Sequence, residues 1–94
     1  MYRIEISKAS RKDFKKLSPE VKKEYPKHFE NLSLNPHCGE LLHGLLKGIW
    51  KYEFKFKGTD YRIAYRILER ERVILVIMVG SREGFYERLE RRVK

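Results

Sequence analysis

The stretch WKYEFKFKGTDYRIAY, residues 50–65, decides the fold because its side chains alternate on both sides of one turn. Aromatic and apolar residues fall at every second position and charged residues lie between them, the pattern of two strands with one buried face and one solvated face. Gly58-Thr59 has glycine first, which predicts a two-residue type II′ turn and therefore a β-hairpin.

That turn fixes which residues face each other across the hairpin. The predicted pairs on the charged face are Lys57–Asp60, Lys55–Arg62, Glu53–Ala64 and Lys51–Arg66. Those on the apolar face are Phe56–Tyr61, Phe54–Ile63 and Tyr52–Tyr65. Two of the charged pairs bring cation against cation, which destabilises a sheet. The register therefore predicts either a mixed-sign exposed face of little energetic value or a surface that an anion completes.

One strand and a helical pair are predicted before the hairpin. Apolar and charged residues alternate at positions 2–6, as in a strand. Ser10 with an acid three residues later predicts a capping box and a first helix. Ser18, followed by proline and glutamate, is the N-cap expected of a second helix. Pro26 lies inside that helix's apolar stripe and should kink or split it, and Asn35 ends it before another proline.

After the hairpin the sequence predicts a buried strand and a final helix. Residues 73–79 are apolar at every position, as in a strand covered on both faces, and Gly80 is expected to end it. Phe85, Leu89 and Val93 are spaced as on a helix. Residues 37–47 are expected to form a short helical turn or a packed loop. The prediction is one α+β domain, residues 1–94, with a sheet of about four strands, the helix pair on one face and a short C-terminal helix.

Net charge and composition limit the classes of binding partner and the cellular compartment to be expected. There are 22 Lys and Arg against 13 Asp and Glu, a formal charge of +9. That excess favours nucleic acid or acidic protein as a partner, although a thermophilic surface rich in both signs is an alternative. Cys38 is the only cysteine, so we expect no disulfide and a cytoplasmic location. We expect no membrane partner, because the apolar run at 73–79 is far below the roughly 18–20 residues that span a bilayer.

Four segments in this order resemble the RelE/ParE superfamily of toxins from bacterial and archaeal toxin–antitoxin pairs, and its RelE-like, mRNA-cleaving branch in particular. They are LSPEV (17–21), LKGIW (46–50), YRIAY (61–65) and VGSREGFYERL (79–89). The resemblance implies a toxin that cuts mRNA in the ribosomal A site, with no cofactor. Its implied partners are the ribosome, mRNA and a cognate antitoxin that neutralises it.

The resemblance also implies a catalytic set, which is Lys55, Arg62, Arg82 and Tyr86. Further RNA contacts are predicted at Lys51, Glu53, Lys57 and Arg66. Several RelE-like toxins have a basic residue where this sequence has Glu53. Three consequences are open: Lys51 substitutes for it, Glu53 itself acts as a base, or the site is weaker.

Cleavage of RNA without a metal ion requires a base for the 2′-hydroxyl, a counter-charge for the phosphorane and a proton for the leaving 5′-oxygen. Arg62 suits forked contact with phosphate, and Arg82 suits phosphate or leaving-group contact. A neighbouring Arg62 would favour the neutral amine of Lys55, and Glu53 would oppose this. Tyr86 could stack on a base or exchange a proton.

The remaining candidates are expected to be structural. His28, His37 and His43 lack the spacing of metal ligands, so no metal site is predicted. Trp50, Tyr61 and Tyr65 share the apolar face of the hairpin and are expected to pack.

Two other functions stay open at this point. A ParE-like toxin would have the same fold and would inhibit DNA gyrase without nuclease activity. A non-catalytic RNA- or ribosome-binding module would use its charges only to position phosphates.

Overall fold

A five-stranded mixed sheet forms the centre of the computed structural model, which describes residues 1–94. The strands are β1 (Arg3–Ile6), β2 (Glu40–Leu41), β3 (Trp50–Phe56), β4 (Thr59–Leu68) and β5 (Val73–Ser81). Their spatial order is β1-β5-β4-β3-β2, with β1 parallel to β5 and the other neighbours antiparallel. The helices are α1 (Lys8–Lys15), α2 (Pro19–Lys22), α3 (Tyr25–Leu34) and α4 (Phe85–Val93). The predicted α+β class is confirmed.

The fifth strand was missed because it is very short. β2 contains only Glu40 and Leu41, which pair with Lys51 and Trp50 of β3. It lies between two 3₁₀ turns, Pro36–Cys38 and Gly44–Leu46, in the stretch predicted as a loop or helical turn. Two residues cannot display an alternating pattern, so the sequence carried no strand signal here.

The helix signals were partly right. Ser18 caps α2 as predicted, accepting a hydrogen bond from the Val21 amide at 3.4 Å. Pro26 does split the predicted helix, because α3 restarts at Tyr25 and holds the proline in its first turn. The capping box at Ser10 is wrong. Ser7 caps α1 instead, and the buried Ser10 hydroxyl donates to the Val76 carbonyl at 3.0 Å.

The hairpin turn lies one residue earlier than predicted, and this changes every cross-strand pair. Lys57 and Gly58 form the turn with φ values of 49° and 80°, the two left-handed residues of a type I′ turn. Arg62 therefore faces Glu53, not Lys55, and Lys55 faces Asp60. The pairing is displaced by two residues, so each side chain keeps its predicted face. The observed register places opposite charges together, where the predicted one opposed like charges.

Each face of the sheet carries its own hydrophobic cluster. The aromatic face of the hairpin packs beneath the first three helices around Tyr25, Phe54 and Tyr65. The other face packs beneath α4 around Met78, Phe85 and Leu89, among others. β5 is buried between β1 and β4, as predicted, but it continues through Gly80 to Ser81. Trp50 and Tyr61 pack against the first cluster, which confirms their structural role.

The Asp13–Arg92 ion pair hydrogen-bonds to the part of the β5 edge that β1 does not cover. β1 covers β5 only as far as Val76. Beyond it, the Asp13 carboxylate accepts from the Val79 amide at 3.3 Å and from the Arg92 guanidinium at 2.9 Å. Arg92 also donates to the Ile77 carbonyl at 3.0 Å. This edge clasp, Asp13 with Arg92, joins α1 and α4 from opposite faces of the sheet.

The longest helix, α3, has 10 residues, and none of the helices has the length and apolar character that crossing a membrane requires.

We expect Asp13→Ala to lower the free energy of unfolding by about 1–3 kcal/mol, since it leaves the Val79 amide and a half-buried Arg92 without their acceptor. Urea unfolding followed by circular dichroism measures this. Glu5→Ala is the matched control, because Glu5 forms only an exposed pair with Arg3, which should be worth under about 1 kcal/mol. Equal losses in both variants would contradict a structural role for the edge clasp.

Candidate functional site

The candidate site lies on the charged face of β3 and β4, beside the start of α4. β4 runs next to β5, with Arg62 opposite Gly80. The Arg82 amide then donates to the Asp60 carbonyl at 3.0 Å, which ties the segment after β5 to the start of β4. α4 begins at Phe85, so Tyr86 lies in its first turn above the hairpin. Three elements distant in sequence thus supply one surface.

The first part of this surface is the Arg62 cluster, made of Glu40, Lys51, Glu53, Arg62 and Tyr86. Arg62 donates from Nε to Glu53 at 2.6 Å, and its guanidinium carbon lies 4.9 Å from the centre of the Tyr86 ring. Lys51 Nζ lies 3.3 Å from Glu40 and 3.7 Å from Glu53. The side chains of Arg62 and Lys51 are only 12% and 11% exposed. Each of these two cations is therefore held in place by a carboxylate and the Tyr86 ring.

Lys51 keeps its proton in this cluster. Burial lowers the pKa of its ammonium, but interactions with the Tyr86 hydroxyl and the Glu40 carboxylate outweigh burial, so the pKa is raised above its ordinary value. At neutral pH Lys51 is therefore a fixed positive charge and cannot accept a proton.

The second part is the Asp60 cluster, made of Lys55, Asp60 and Arg82. Lys55 Nζ lies 3.8 Å from one oxygen of Asp60, and Arg82 Nη1 lies 3.5 Å from the other. The two cations are 69% and 67% exposed. Exposed pairs of this kind contribute about 0–1 kcal/mol. Lys55 and Arg82 can therefore exchange Asp60 for an incoming phosphate at little cost.

The structure places the four predicted catalytic residues in two groups. Arg62 and Tyr86 are in contact, while Lys55 and Arg82 share Asp60. Lys55 and Arg62 are diagonal neighbours on the same face, a relation that separates residues by roughly 7–8 Å. The predicted direct opposition of these two cations is wrong. The type I′ turn gives each of them its own carboxylate.

Only two of the four predicted RNA contacts belong to the Arg62 or Asp60 clusters. Lys51 and Glu53 belong to the Arg62 cluster. Lys57 instead forms an ion pair with Glu20 of α2. Arg66, two residues beyond the Ala64 that faces Lys51, forms no ion pair and lies beside Gly48. Sequence reasoning missed Asp60 because it assumed the wrong turn. It missed Glu40 because that residue lies on the unpredicted β2.

Two of the three histidines, His28 and His37, are occupied by other contacts, whereas His43 is exposed. His28 stacks on Phe54 with ring centres 3.9 Å apart and shares a hydrogen bond with Tyr52. Burial lowers the pKa of His28. His37 pairs with Glu69 at 3.1 Å. The chain has no group of three or more His, Cys, Asp or Glu residues arranged to hold a metal ion.

Comparison with known proteins gives sequence relatives in two organisms. An Escherichia coli protein assigned as a RelE-like toxin is 25% identical over 83 residues, which cover 87% of this chain and 84% of that protein. A Methanocaldococcus jannaschii protein assigned as toxin RelE1 is 29% identical over 96 residues, covering 92% of this chain and 96% of that protein.

Solved structures share the fold. The toxin of the RelBE2 toxin–antitoxin complex from Mycobacterium tuberculosis superposes with a TM-score of 0.74 at 28% identity, over 86% of this chain and 98% of that one. The intact E. coli RelBE complex gives a TM-score of 0.71 at 22% identity, over 85% and 95%.

A family model described as "ParE-like toxin of type II bacterial toxin-antitoxin system" matches residues 4–90, nearly the whole chain. With the fold and the relatives in agreement, the chain belongs to this family of toxins, within the RelE/ParE superfamily.

Proposed function

We propose that this toxin is a ribosome-dependent endoribonuclease that cuts messenger RNA in the cytoplasm, uses its own side chains without a metal ion, and thereby stops translation. One observation carries the proposal. The Arg62 guanidinium lies between the Glu53 carboxylate and the Tyr86 ring, beside the charged Lys51. A proton acceptor, a phosphate-binding group and a fixed cation thus adjoin on one surface. The relatives assigned as RelE toxins support the same reading.

Glu53 is the group best suited to remove the 2′-hydroxyl proton. It is 43% exposed, and a carboxylate accepts a proton at neutral pH, whereas Lys51 holds its own. The freed 2′-oxygen attacks the adjacent phosphorus, and the bond from phosphorus to the 5′-oxygen breaks. The products are a 2′,3′-cyclic phosphate and a 5′-hydroxyl, so the leaving oxygen must receive a proton.

The cations balance the charge that develops on the phosphorane. Arg62 is always protonated and presents a planar fork to phosphate oxygens. Lys55 and Arg82 extend from the neighbouring Asp60 cluster and contact the next phosphates. The Tyr86 phenol, in the same cluster as Arg62, donates to the leaving 5′-oxygen or stacks on the base beside it.

The carboxylates explain why the ribosome is needed. Glu40, Glu53 and Asp60 neutralise most of the site's positive charge, so free RNA gains little by binding there. A partner that fixes the message in reactive geometry supplies what the site lacks, and orientation alone contributes several kcal/mol to catalysis.

The inhibitor is a cognate antitoxin. RelE toxins of E. coli and M. tuberculosis were solved in complex with antitoxins. A chain of the same fold with a net charge of +9 suits a partner that is acidic where it binds. Covering the Arg62 and Asp60 clusters would hold the toxin inactive.

We expect Arg62→Ala and Arg82→Ala each to slow cutting of a ribosome-bound transcript by about 10²-fold or more. The first removes the charge facing the phosphorane, and the second removes a contact that positions the adjacent phosphate. The rate is measured by primer extension on a defined transcript. Arg70→Ala is the control, since Arg70 is an exposed arginine in the β4–β5 turn and forms no ion pair. Unchanged cutting by both site variants would refute catalysis here.

We expect Glu53→Gln to slow the same reaction by about 10²-fold or more, because glutamine can still accept from Arg62 but cannot take up a proton. Faster cutting by Glu53→Gln would mean that Glu53 only masks Arg62 and is not the base.

A second candidate is gyrase inhibition by a ParE-like toxin, which the description of the matching family favours. The neutralisation of Arg62 by Glu53 also suits a protein that binds without cutting. Assays of ribosome-bound transcript and of DNA supercoiling with the same preparation separate the two. Supercoiling blocked with the transcript intact would establish this candidate over the ribonuclease.

A further inference from the structure

α1 carries a stripe of positive charge on its outer face. Five basic residues at helical spacing form this α1 stripe: Lys8, Arg11, Lys12, Lys15 and Lys16. All five are exposed, and none has an acidic partner within ion-pair distance. From Lys8 to Lys16 the stripe extends for about 12 Å at the helical rise per residue. This differs from the hairpin, where carboxylates neutralise the predicted catalytic cations.

The carboxylates nearest to the α1 stripe in sequence are paired with other residues. Asp13 is the only acid in α1, and it points to the sheet edge, where Arg92 and the Val79 amide occupy it. Glu5 pairs with Arg3. The acids of the next helical segments, Glu20 and Glu24, pair with Lys57 and Lys27 respectively. The edge clasp therefore also leaves the stripe uncompensated.

Lys12 and Lys15 lie in the last turn of α1, where the helix dipole favours cations, but two other features of the stripe are unfavourable for an isolated helix. Lys8 and Lys12, like Lys12 and Lys16, are four residues apart, a spacing at which like charges cost a few tenths of a kcal/mol per pair. Lys8 also lies in the first turn, where the helix dipole disfavours a cation, and no acid is present there. An anionic partner would relieve both costs.

We propose that the α1 stripe binds the phosphate backbone of double-stranded nucleic acid, as an anchoring surface separate from the Arg62 and Asp60 clusters. The stripe consists only of Lys and Arg, without the apolar side chains that form the centre of a protein interface. A row of cations with no side chain suited to reading bases matches a polymer of phosphates recognised without sequence preference.

The position of the stripe keeps the candidate site free. α1 packs with the hydrophobic cluster on the aromatic face of the sheet, whereas Arg62, Asp60 and α4 lie on the other face. A duplex bound at α1 leaves the charged face open to a second strand or partner. The inference goes beyond the proposed ribonuclease activity and does not require it.

Equilibrium binding at several salt concentrations tests the proposal. The probes are a short 2′-O-methyl RNA duplex, which cannot be cut by 2′-hydroxyl attack, a DNA duplex of the same sequence, and poly-glutamate. We expect Lys12→Gln with Lys15→Gln to weaken duplex binding about tenfold or more at 0.1 M salt and to reduce the slope of log affinity against log salt by about 2. Preference for RNA would identify an A-form ligand, and equal binding would identify the shared phosphate chemistry.

The matched control is Lys47→Gln with Arg70→Gln, which removes the same charge from exposed residues that form no ion pair. It should lose much less affinity. Thermal unfolding should show the α1 variant about as stable as the parent, because the repulsion removed offsets the lost interaction of Lys12 and Lys15 with the C-terminal end of the helix dipole. Equal losses in the two variants would overturn the proposal, as would unchanged duplex binding or a stripe that binds only poly-glutamate.

Discussion

The pairing of Arg62 with Glu53 across the hairpin is the interaction on which the charged face depends. The type I′ turn at Lys57-Gly58 sets this pair, because moving the turn by one residue would bring Arg62 opposite Lys55. With Glu53 in place, a guanidinium that is only 12% exposed has a hydrogen-bonded counter-charge at 2.6 Å. A largely buried cation without such a partner would destabilise the sheet. The turn thus determines both the stability of the hairpin and the geometry of the candidate site.

The distribution of charge follows from the same principle. The four cations of the Arg62 and Asp60 clusters are paired with carboxylates, while the exposed cations of α1 are not. Five cations without a carboxylate partner therefore lie together on a helix remote from the proposed chemistry. A toxin of this design would separate the attraction of a large polyanion from recognition of the bond to be cut. The first depends on salt, whereas the second depends on the orientation of a few partly buried groups.

Sequence alone predicted the layers of the fold, because β-strand alternation, the Ser18 cap, Pro26 and the spacing on α4 are strong local signals. It assigned every hairpin residue to the correct face, since a displacement of two residues preserves the alternation. The sequence did not predict which residues pair across the hairpin, since residues 57–59 are compatible with two turn types. β2 was missed because two residues are too few to show the alternation of a strand. Glu40 was missed for the same reason, since it lies on β2. The resemblance assigned Arg62 and Tyr86 to one site, and the structure brings these two side chains into contact. The place of Asp60 could not be predicted without the correct turn.

The chemistry of the cut ends tests directly whether this charged face cuts RNA through the 2′-hydroxyl. We would sequence the fragments of a ribosome-bound transcript and of a matched transcript with a single 2′-deoxynucleotide before the cut bond. Attack by the 2′-hydroxyl should give a 2′,3′-cyclic phosphate and a 5′-hydroxyl from the first transcript, and no cut at that position in the second. Fragments ending in 3′-hydroxyl and 5′-phosphate, or cutting that is indifferent to the missing 2′-hydroxyl, would contradict it.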